Sequence, residues 1–544
     1  NLEADVTLSI LGNVPENPIN EIFYENRGRR RGEVNDVERV ALYSANVSWD
    51  ARNFRLDGFY RSGHYHWGYE GDMFGLYREA NYGPNLDIYN GLAPVGFEVT
   101  GKRSLDGLKI AFGPELWWGA NPTALVKYQQ DLLGLTTTAI VQEDLAQAGN
   151  AGSSFAVPQQ RERRATFVVE KEDFLGFGVE LGGIWSGDRQ VGETFQLVDG
   201  EPGNYRVLQD DVNSDDTFGA RGRLTWSGGP INWYAQYSEM GIVASGGPTQ
   251  IQTYTGWRLA DTGSSNQRNF LTGFTYQVGN WQLAPNFMWQ KPIIGAIPED
   301  APAPARLRNV LDDPFAVLGN QETTAFEMLF TYDPTPATWM YLWDSDRLED
   351  AALAASIGFV YRSQKAPRDA SIGILADGRT LFAFPGAPDP EDLWEVHSRI
   401  VSKTASGLGI IVNAYAGEGQ ANGISDRTID RYGVDARLAQ GPVRFEAGAK
   451  FNDWGPYDYH RDFNLTFPTQ LMGDLSYSFG LPDWLNAPQT RLGVRGLWRS
   501  LNEFSPRYCP QRTPDPFGTL TCDPLAPGDN GNEWEIRTYL HFVL

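Results

Sequence analysis

The stretch Phe218-Gly219-Ala220-Arg221-Gly222-Arg223-Leu224-Thr225-Trp226 decides the fold. Its even positions are apolar or small, and both arginines stand at odd positions. Successive Cβ atoms of a strand point to opposite faces, so this segment reads as a strand with one greasy and one charged side. The same period of two recurs in Trp281–Gln290, where the odd positions are apolar or aromatic. Along Val443–Phe451, the apolar set Val443, Phe445, Ala447, Ala449 and Phe451 opposes Arg444, Glu446 and Lys450. In Glu533–Leu544 the apolar set is Trp534, Ile536, Leu540, Phe542 and Leu544. Helical periodicity is scarce. Asp344–Ser356 fits a short helix, but from Ala351 onward it also continues as a strand.

The connections between such segments fall into two alternating classes. Short turns are read at Asp50–Asn53, Arg103–Gly107, Asp131–Gly134, Lys171–Phe174, Ser227–Pro230, Gly279–Asn280, Asp333–Pro336, Gln364–Asp369, Thr404–Gly407, Ala439–Pro442 and Gly480–Pro488. The other class, often long and rich in Pro, Asp and Asn, falls near 14–36, 65–93, 118–121, 144–160, 187–215, 242–266, 292–321, 345–350, 378–391, 419–426, 453–461 and 500–532. Eleven turns and twelve loops predict about 24 strands, within a range of 18–26. An even number places both ends of the chain at the short-turn rim.

Strands of about ten residues, even in number, with short turns on one rim and long loops on the other, describe a transmembrane antiparallel β-barrel of the outer-membrane type. Closure satisfies every backbone N–H and C=O, which lipid cannot do. A soluble β-sandwich also alternates, but it does not sort its connections so strictly. The expectation is an all-β fold, one barrel domain over 1–544, with short periplasmic turns and long extracellular loops. No N-terminal plug domain is expected, since strand one begins near Ala4. A start at Asn1-Leu2-Glu3 reads as a mature chain whose signal peptide has been removed. Trp49, Trp117, Trp118, Trp185, Trp226, Trp281, Trp289, Trp394, Trp498 and Trp534 fall near strand ends, where amphipathic rings form interfacial girdles.

Composition narrows the function. The 544 residues carry 45 basic and 68 acidic side chains, a formal charge of −23, which argues against a nucleic-acid partner. Aromatics at 13% exclude a disordered composition, and no run approaches 18 apolar residues. Cys509 and Cys522, close together in a Pro/Gly-rich loop, are expected to form one disulfide in an oxidising compartment, the other reading being two free thiols. No cofactor motif or zinc spacing is present, and no Ser-His-Asp arrangement is legible from five histidines, so no enzyme is expected.

Only eight of the basic residues are lysine, leaving 37 arginines, whose guanidinium forks hold carboxylate or phosphate in two bonds. Many have lumen parity, and the expected pore-lining set is Arg164, Arg221, Arg223, Arg399, Arg437, Arg444, Lys450, Arg491, Arg495, Arg499 and Arg537 with Glu395 and Glu446. Glu170, Glu180, Glu327, Asp435 and Glu535 share that parity. One reading is a polar conduit whose arginines guide anions while acids prevent trapping. The other is a structural ion-pair lining. Asp210–Asp216 is either a divalent-cation loop or a solvated one. His64 and His66 read as loop residues, and Tyr60, Tyr65, Trp67, Tyr69 and Tyr77 as aromatics that fold the second long loop into a lid.

The final strand, EWEIRTYLHFVL, resembles the C-terminal signal of bacterial outer-membrane proteins, with Phe542 standing two residues before the end. That resemblance implies the barrel-assembly machinery as a partner and an environment of outer-membrane lipid and lipopolysaccharide in a Gram-negative bacterium. The segment Leu108–Glu143 resembles the early strand-turn-strand region of alginate-export porins. A barrel this wide holds an aqueous lumen unless something fills it. The expected function is a porin-like channel for polar, anionic or saccharide solutes or polymer, gated by loops 65–93 and 292–321. One alternative is a scaffold whose lumen houses a protein partner in an export, secretion or surface-assembly complex, and another is a loop-borne outer-membrane enzyme.

Overall fold

The computed structural model describes residues 2–10, 40–62, 67, 70–77, 94–117, 120–147, 161–187, 194–201, 204–211, 213–247, 259, 261, 263, 265–293, 322–334, 352–364, 372–374, 381–383, 392–420, 428–453, 467–479, 491–500, 512–514, 520–522 and 532–541. The strands, in order, are β1 Leu2–Ile10, β2 Val40–Asp50, β3 Phe54–Tyr60, β4 Val95–Gly101, β5 Leu108–Glu115, β6 Thr123–Leu132, β7 Leu135–Asp144, β8 Arg163–Phe174 and β9 Phe177–Ser186. A short hairpin follows, β10 Thr194–Glu201 with β11 Asn204–Asp211. Next come β12 Phe218–Gly228, β13 Ile231–Met240, β14 Gln267–Val278, β15 Trp281–Pro292, β16 Thr323–Tyr332 and β17 Ala354–Gln364. A second small hairpin pairs β18 Ile372–Ile374 with β19 Leu381–Ala383. The chain continues through β20 Leu393–Lys403, β21 Gly409–Gln420, β22 Thr428–Gln440, β23 Val443–Asp453, β24 Phe467–Ser478 and β25 Arg491–Ser500. After a third small hairpin, β26 Arg512–Pro514 with β27 Leu520–Cys522, it ends in β28 Asn532–His541.

Twenty-two of these strands form one sheet in which each pairs antiparallel with its neighbour in the chain, β9 with β12, β17 with β20 and β25 with β28 bridging the small hairpins. Among the described residues the count is 22, inside the predicted range of 18–26 and two below its central value of about 24. The two surplus strands came from apolar runs flanking β17. Residues Thr338–Trp343 lie outside the described residues, but β16 and β17 pair directly, from Thr323↔Gln364 to Tyr332↔Ala355, so no strand stands between them. The stretch between the predicted turn Gln364–Asp369 and the predicted loop 378–391 counts as a span in that reading, whereas Ile372–Ile374 is half of the small hairpin on the loop joining β17 to β20. The connection near Gln364–Asp369 therefore opens a long loop and is not a short turn.

Elsewhere the turns fall where glycine and local chemistry put them. Leu133-Gly134 and Leu175-Gly176 both have positive φ at both residues, +55°/+76° and +58°/+86°, the geometry of two-residue hairpins whose twist matches the strands. The second lies beyond the predicted Lys171–Phe174 turn, because β8 runs on to Phe174 after a register shift.

The two faces of the sheet invert the soluble pattern. On the outside, Leu475 is 53% and Trp534 69% exposed, whereas the inward Glu327 and Glu395 are at most 1% exposed. Exposed apolar side chains recur along most strands of the sheet, Phe167 on β8, Leu224 on β12, Phe274 on β14, Ile357 on β17 and Leu492 on β25 among them. Water does not tolerate a band of that extent, and a hydrocarbon layer does. None of the described helices is long and apolar enough to cross a membrane. Trp49, Trp281, Trp394 and Trp534 face outward and exposed, as girdle residues should. Trp117 instead packs against an inner cluster, and Trp118 lies outside the described residues.

Candidate functional site: the loop-lined interior

Strand parity carries Arg164, Arg221, Arg437, Arg499 and Glu395 to buried inward positions and Arg223, Arg399, Arg444, Lys450, Arg491, Arg495 and Glu446 to half-buried ones. Arg537 pairs in register with Arg495, its side chain being outside the described residues. Cys509 and the Cys522 side chain are also outside them, as are loop 292–321, His64, His66, Tyr65 and Tyr69.

The basic residues divide into two groups with different partners. The first holds inward-folded loops. Residues 67 and 70–77, part of the loop between β3 and β4, lie against the inner face from β4 to β12. Trp67 and Tyr77 meet edge-on at 4.6 Å, and the Tyr77 hydroxyl bonds Glu98 of β4. Lys127 of β6 sits 5.7 Å over the Trp67 ring and reaches Glu70 at 3.1 Å, a carboxylate that Lys109 of β5 also holds. Burial pushes the Glu70 carboxyl up, but the bond from Lys109 and the charges of Lys127 and Lys109 outweigh it and hold it below the usual range. Burial first, then the neighbouring Glu98, keeps the Tyr77 phenol neutral by raising its ionisation well above the usual value.

Small residues set how closely this loop lies on the wall. A Cβ on Gly71, whose φ is +88°, would stand 2.2 Å from Thr138 Oγ1 of β7. One on Gly182 of β9 would stand 2.8 Å from the Phe74 ring. Within the loop, Asp72 accepts from the backbone of Leu76 at 3.0 Å and Tyr77 at 2.8 Å, which satisfies a tight turn without strand pairing.

The second inward loop joins β13 to β14. Asp261 accepts from Arg221 at 3.0 Å, Gln236 at 3.2 Å and Ser238 at 2.9 Å. Arg221 also donates to the Met73 carbonyl and lies 5.1 Å over the Phe74 ring, so one guanidinium holds both loops. The loops touch directly through Gly247 N–H and the Phe74 carbonyl at 2.6 Å. Arg164 reaches Ser245 of the second loop at 3.0 Å and is paired with Glu162. Leu259 donates its N–H to Glu327 of β16 at 3.2 Å and accepts from Asn286 of β15 at 3.0 Å.

The second group forms ranks on β20–β25, away from these anchors. Arg495, Asp474, Glu446 and Arg437 stand in one transverse row, each opposite the next on the neighbouring strand. Arg495 bonds Asp474 at 2.9 Å, and Arg437 lies 3.8 Å from Glu446. A second row opposes Arg499, Gln470 and Lys450. Glu395 is bonded at 2.7 Å by Arg431, which lies 5.6 Å over the Tyr415 ring. Asp435 of β22 accepts from Asn413 of β21 at 2.9 Å.

Sequence reasoning missed Arg431, although it shares parity with Asp435 and Arg437 and that alone would have found it. It also missed Glu70, Asp72 and Asp261, which lie in aperiodic loops where no spacing marks an inward position.

A meander of 22 antiparallel strands, apolar outside and charged within, with loops folded into its interior, is the architecture of a bacterial outer-membrane barrel. No family model matches the chain, and no curated protein does. Solved structures similar to it include a BenF-like porin from Pseudomonas fluorescens, at 7% identity and a TM-score of 0.31, covering 95% of each chain. OpdQ of Pseudomonas aeruginosa follows at 8% identity and 0.30, covering 95% of this chain and 94% of that one. OccK5 (OpdH) of the same organism also has 8% identity and 0.30, covering 92% of each. At such values the likeness is one of outline, and the reading below rests on the geometry. The segment Leu108–Glu143, whose resemblance pointed to alginate-export porins, forms β5, β6 and most of β7.

Proposed function

We propose that the chain is an outer-membrane channel for small polar solutes, its bore narrowed by its own inward loops and its solute path running along the charged ranks of β20–β25. The observation that carries this is the row Arg495–Asp474–Glu446–Arg437, half-buried to buried and set apart from the loop anchors. Alternating charge of this kind offers a moving ion successive weak partners without a deep trap. The cations outnumber the acids on these strands when Arg399, Arg444, Lys450, Arg491 and Arg499 are included, which favours anions. The reading of a lumen that houses a separate protein is less supported, since the chain's own loops cover the inner face from β4 to β16. Purified protein in planar bilayers should give discrete conductance steps, with a reversal potential in a salt gradient displaced toward the anion. A barrel that inserts and stays silent would overturn the reading.

A further inference from the structure

The lumen wall contains an apolar seat that a polar conduit does not need. Tyr234, Leu271, Met288, Ala325, Val360 and Leu393 are all buried inward residues of six adjacent strands, and Leu259 of the second loop belongs to their cluster. One transverse row, Tyr234–Gly273–Asn286–Glu327–Val360, crosses this seat. Glycine at 273 leaves room between the tyrosine and the asparagine, whose side chains bond each other over it. The two polar side chains beyond it read a single residue of the loop from both sides. Glu327, 0% exposed, accepts the Leu259 N–H, and Asn286, 1% exposed, donates to the Leu259 carbonyl. A carboxylate is costly to bury unless its bonds are made, and the Leu259 N–H supplies one of them.

We propose that this seat is a solute subsite for an apolar side chain carried on a peptide-like amide, and that Leu259 occupies it as a tethered competitor. The inference goes beyond the channel reading by assigning the loop-covered side of the lumen a second solute class, short peptides or N-acyl amino-acid amides with a leucine-sized side chain. Its ligand contacts are the N–H acceptor Glu327, the carbonyl donor Asn286 and the surrounding apolar wall. The loop fixes the resting state because its leucine is linked to the wall through β13 and β14 and so needs no translational freedom to return.

The probe is N-acetyl-leucine methylamide, titrated into purified full-length protein in detergent micelles. In the wild type Leu259 excludes it. Leu259→Asp sets a like charge against Glu327 and expels the loop residue, and Leu259→Pro removes the N–H that Glu327 accepts, so either variant opens the seat. Both are checked for retained β-sheet by circular dichroism. Saturable binding at least about tenfold tighter than in the wild type is expected, from the burial of one leucine side chain. N-acetyl-alanine methylamide should bind about tenfold more weakly than the leucine probe, and adding Asn286→Leu should abolish binding. No saturable binding to either folded variant, or equal binding of the leucine and alanine probes, would overturn the proposal. Conductance of the same samples tests the channel reading separately. Silent bilayers with selective binding sink the channel and keep the seat, and conducting bilayers without binding do the reverse.

Discussion

The Arg221 guanidinium and the Asp261 carboxylate meet at 3.0 Å with both side chains at most 1% exposed. Because Arg221 also serves the Met73 carbonyl, this pair joins two loops that are far apart in the chain to one strand of the wall. Removing one partner of such a pair leaves a buried charge uncompensated. Arg221→Met should therefore cost about 3–5 kcal/mol in detergent unfolding and raise open-channel noise as both loops loosen. Arg221→Lys should recover only part of the loss, since a point ammonium cannot hold a carbonyl and a carboxylate in the fixed geometry of a guanidinium fork. Unchanged stability and current noise in Arg221→Met would show that the loops are held by something else.

Acid should release the first loop. Lys109 and Lys127 hold Glu70 below its ordinary range against the opposing effect of burial. A depressed carboxyl stabilises the folded loop above its unfolded value, about 4.3, and that stabilisation is lost as the pH falls through the lower folded value. Protection factors of the amides in residues 70–77, corrected for the intrinsic exchange rate at each pH, should fall as the pH drops below the ordinary carboxyl range, and Glu70→Gln should already lack that protection at neutral pH and show no further acid-dependent loss. Identical acid limbs in the two proteins would contradict the assignment.

The charged row makes an electrical prediction. Arg495→Gln and Arg437→Gln should each lower the anion-to-cation permeability ratio, and Asp474→Asn should raise it. The shifts should shrink as ionic strength rises and screening sets in. Reversal potentials in matched salt gradients measure this directly. If none of the three moves the potential, the row is a structural lining.

Outward and inward positions of neighbouring strands should differ in their tolerance of a basic side chain. Leu471 of β24 is 44% exposed on the lipid side. Leu471→Arg should cost about 2–4 kcal/mol if it lies near the bilayer midplane. Lys450→Arg on the inner face of β23 should be close to neutral. Refolding titrations into lipid vesicles compare the two.

The barrel was legible because lipid outside and water inside force the same two-residue period on every span. Phe218–Trp226 carries that period so cleanly that Arg221 and Arg223 could be placed inward from parity alone. Parity fixes a face and says nothing of what meets it. Arg164 and Arg221 looked like members of one ladder with Arg495, yet they end on loop atoms, because Ser245, Met73 and Asp261 are brought to them by segments without periodicity. The central count came out two too high around β17 for a related reason. The run from Ile372 is apolar enough to pass for a span, but the strand Ile372–Ile374 is too short to cross and forms half of a hairpin on a loop. The tyrosines and tryptophans of loop 65–93 read as material for a lid, and Trp67 and Tyr77 pack inward against the wall.

The join between β16 and β17 runs from 333 to 353 on a rim where several neighbouring strands are linked by two residues. β17 is eleven residues long and leads from that join to the long-loop side. An epitope inserted near 345 and another near 368 would thus report from opposite sides of the membrane, although so little sequence separates them. In whole cells an impermeant antibody should reach one tag and leave the other dark until the envelope is breached, which turns a miscounted stretch of sequence into a reporter of sidedness.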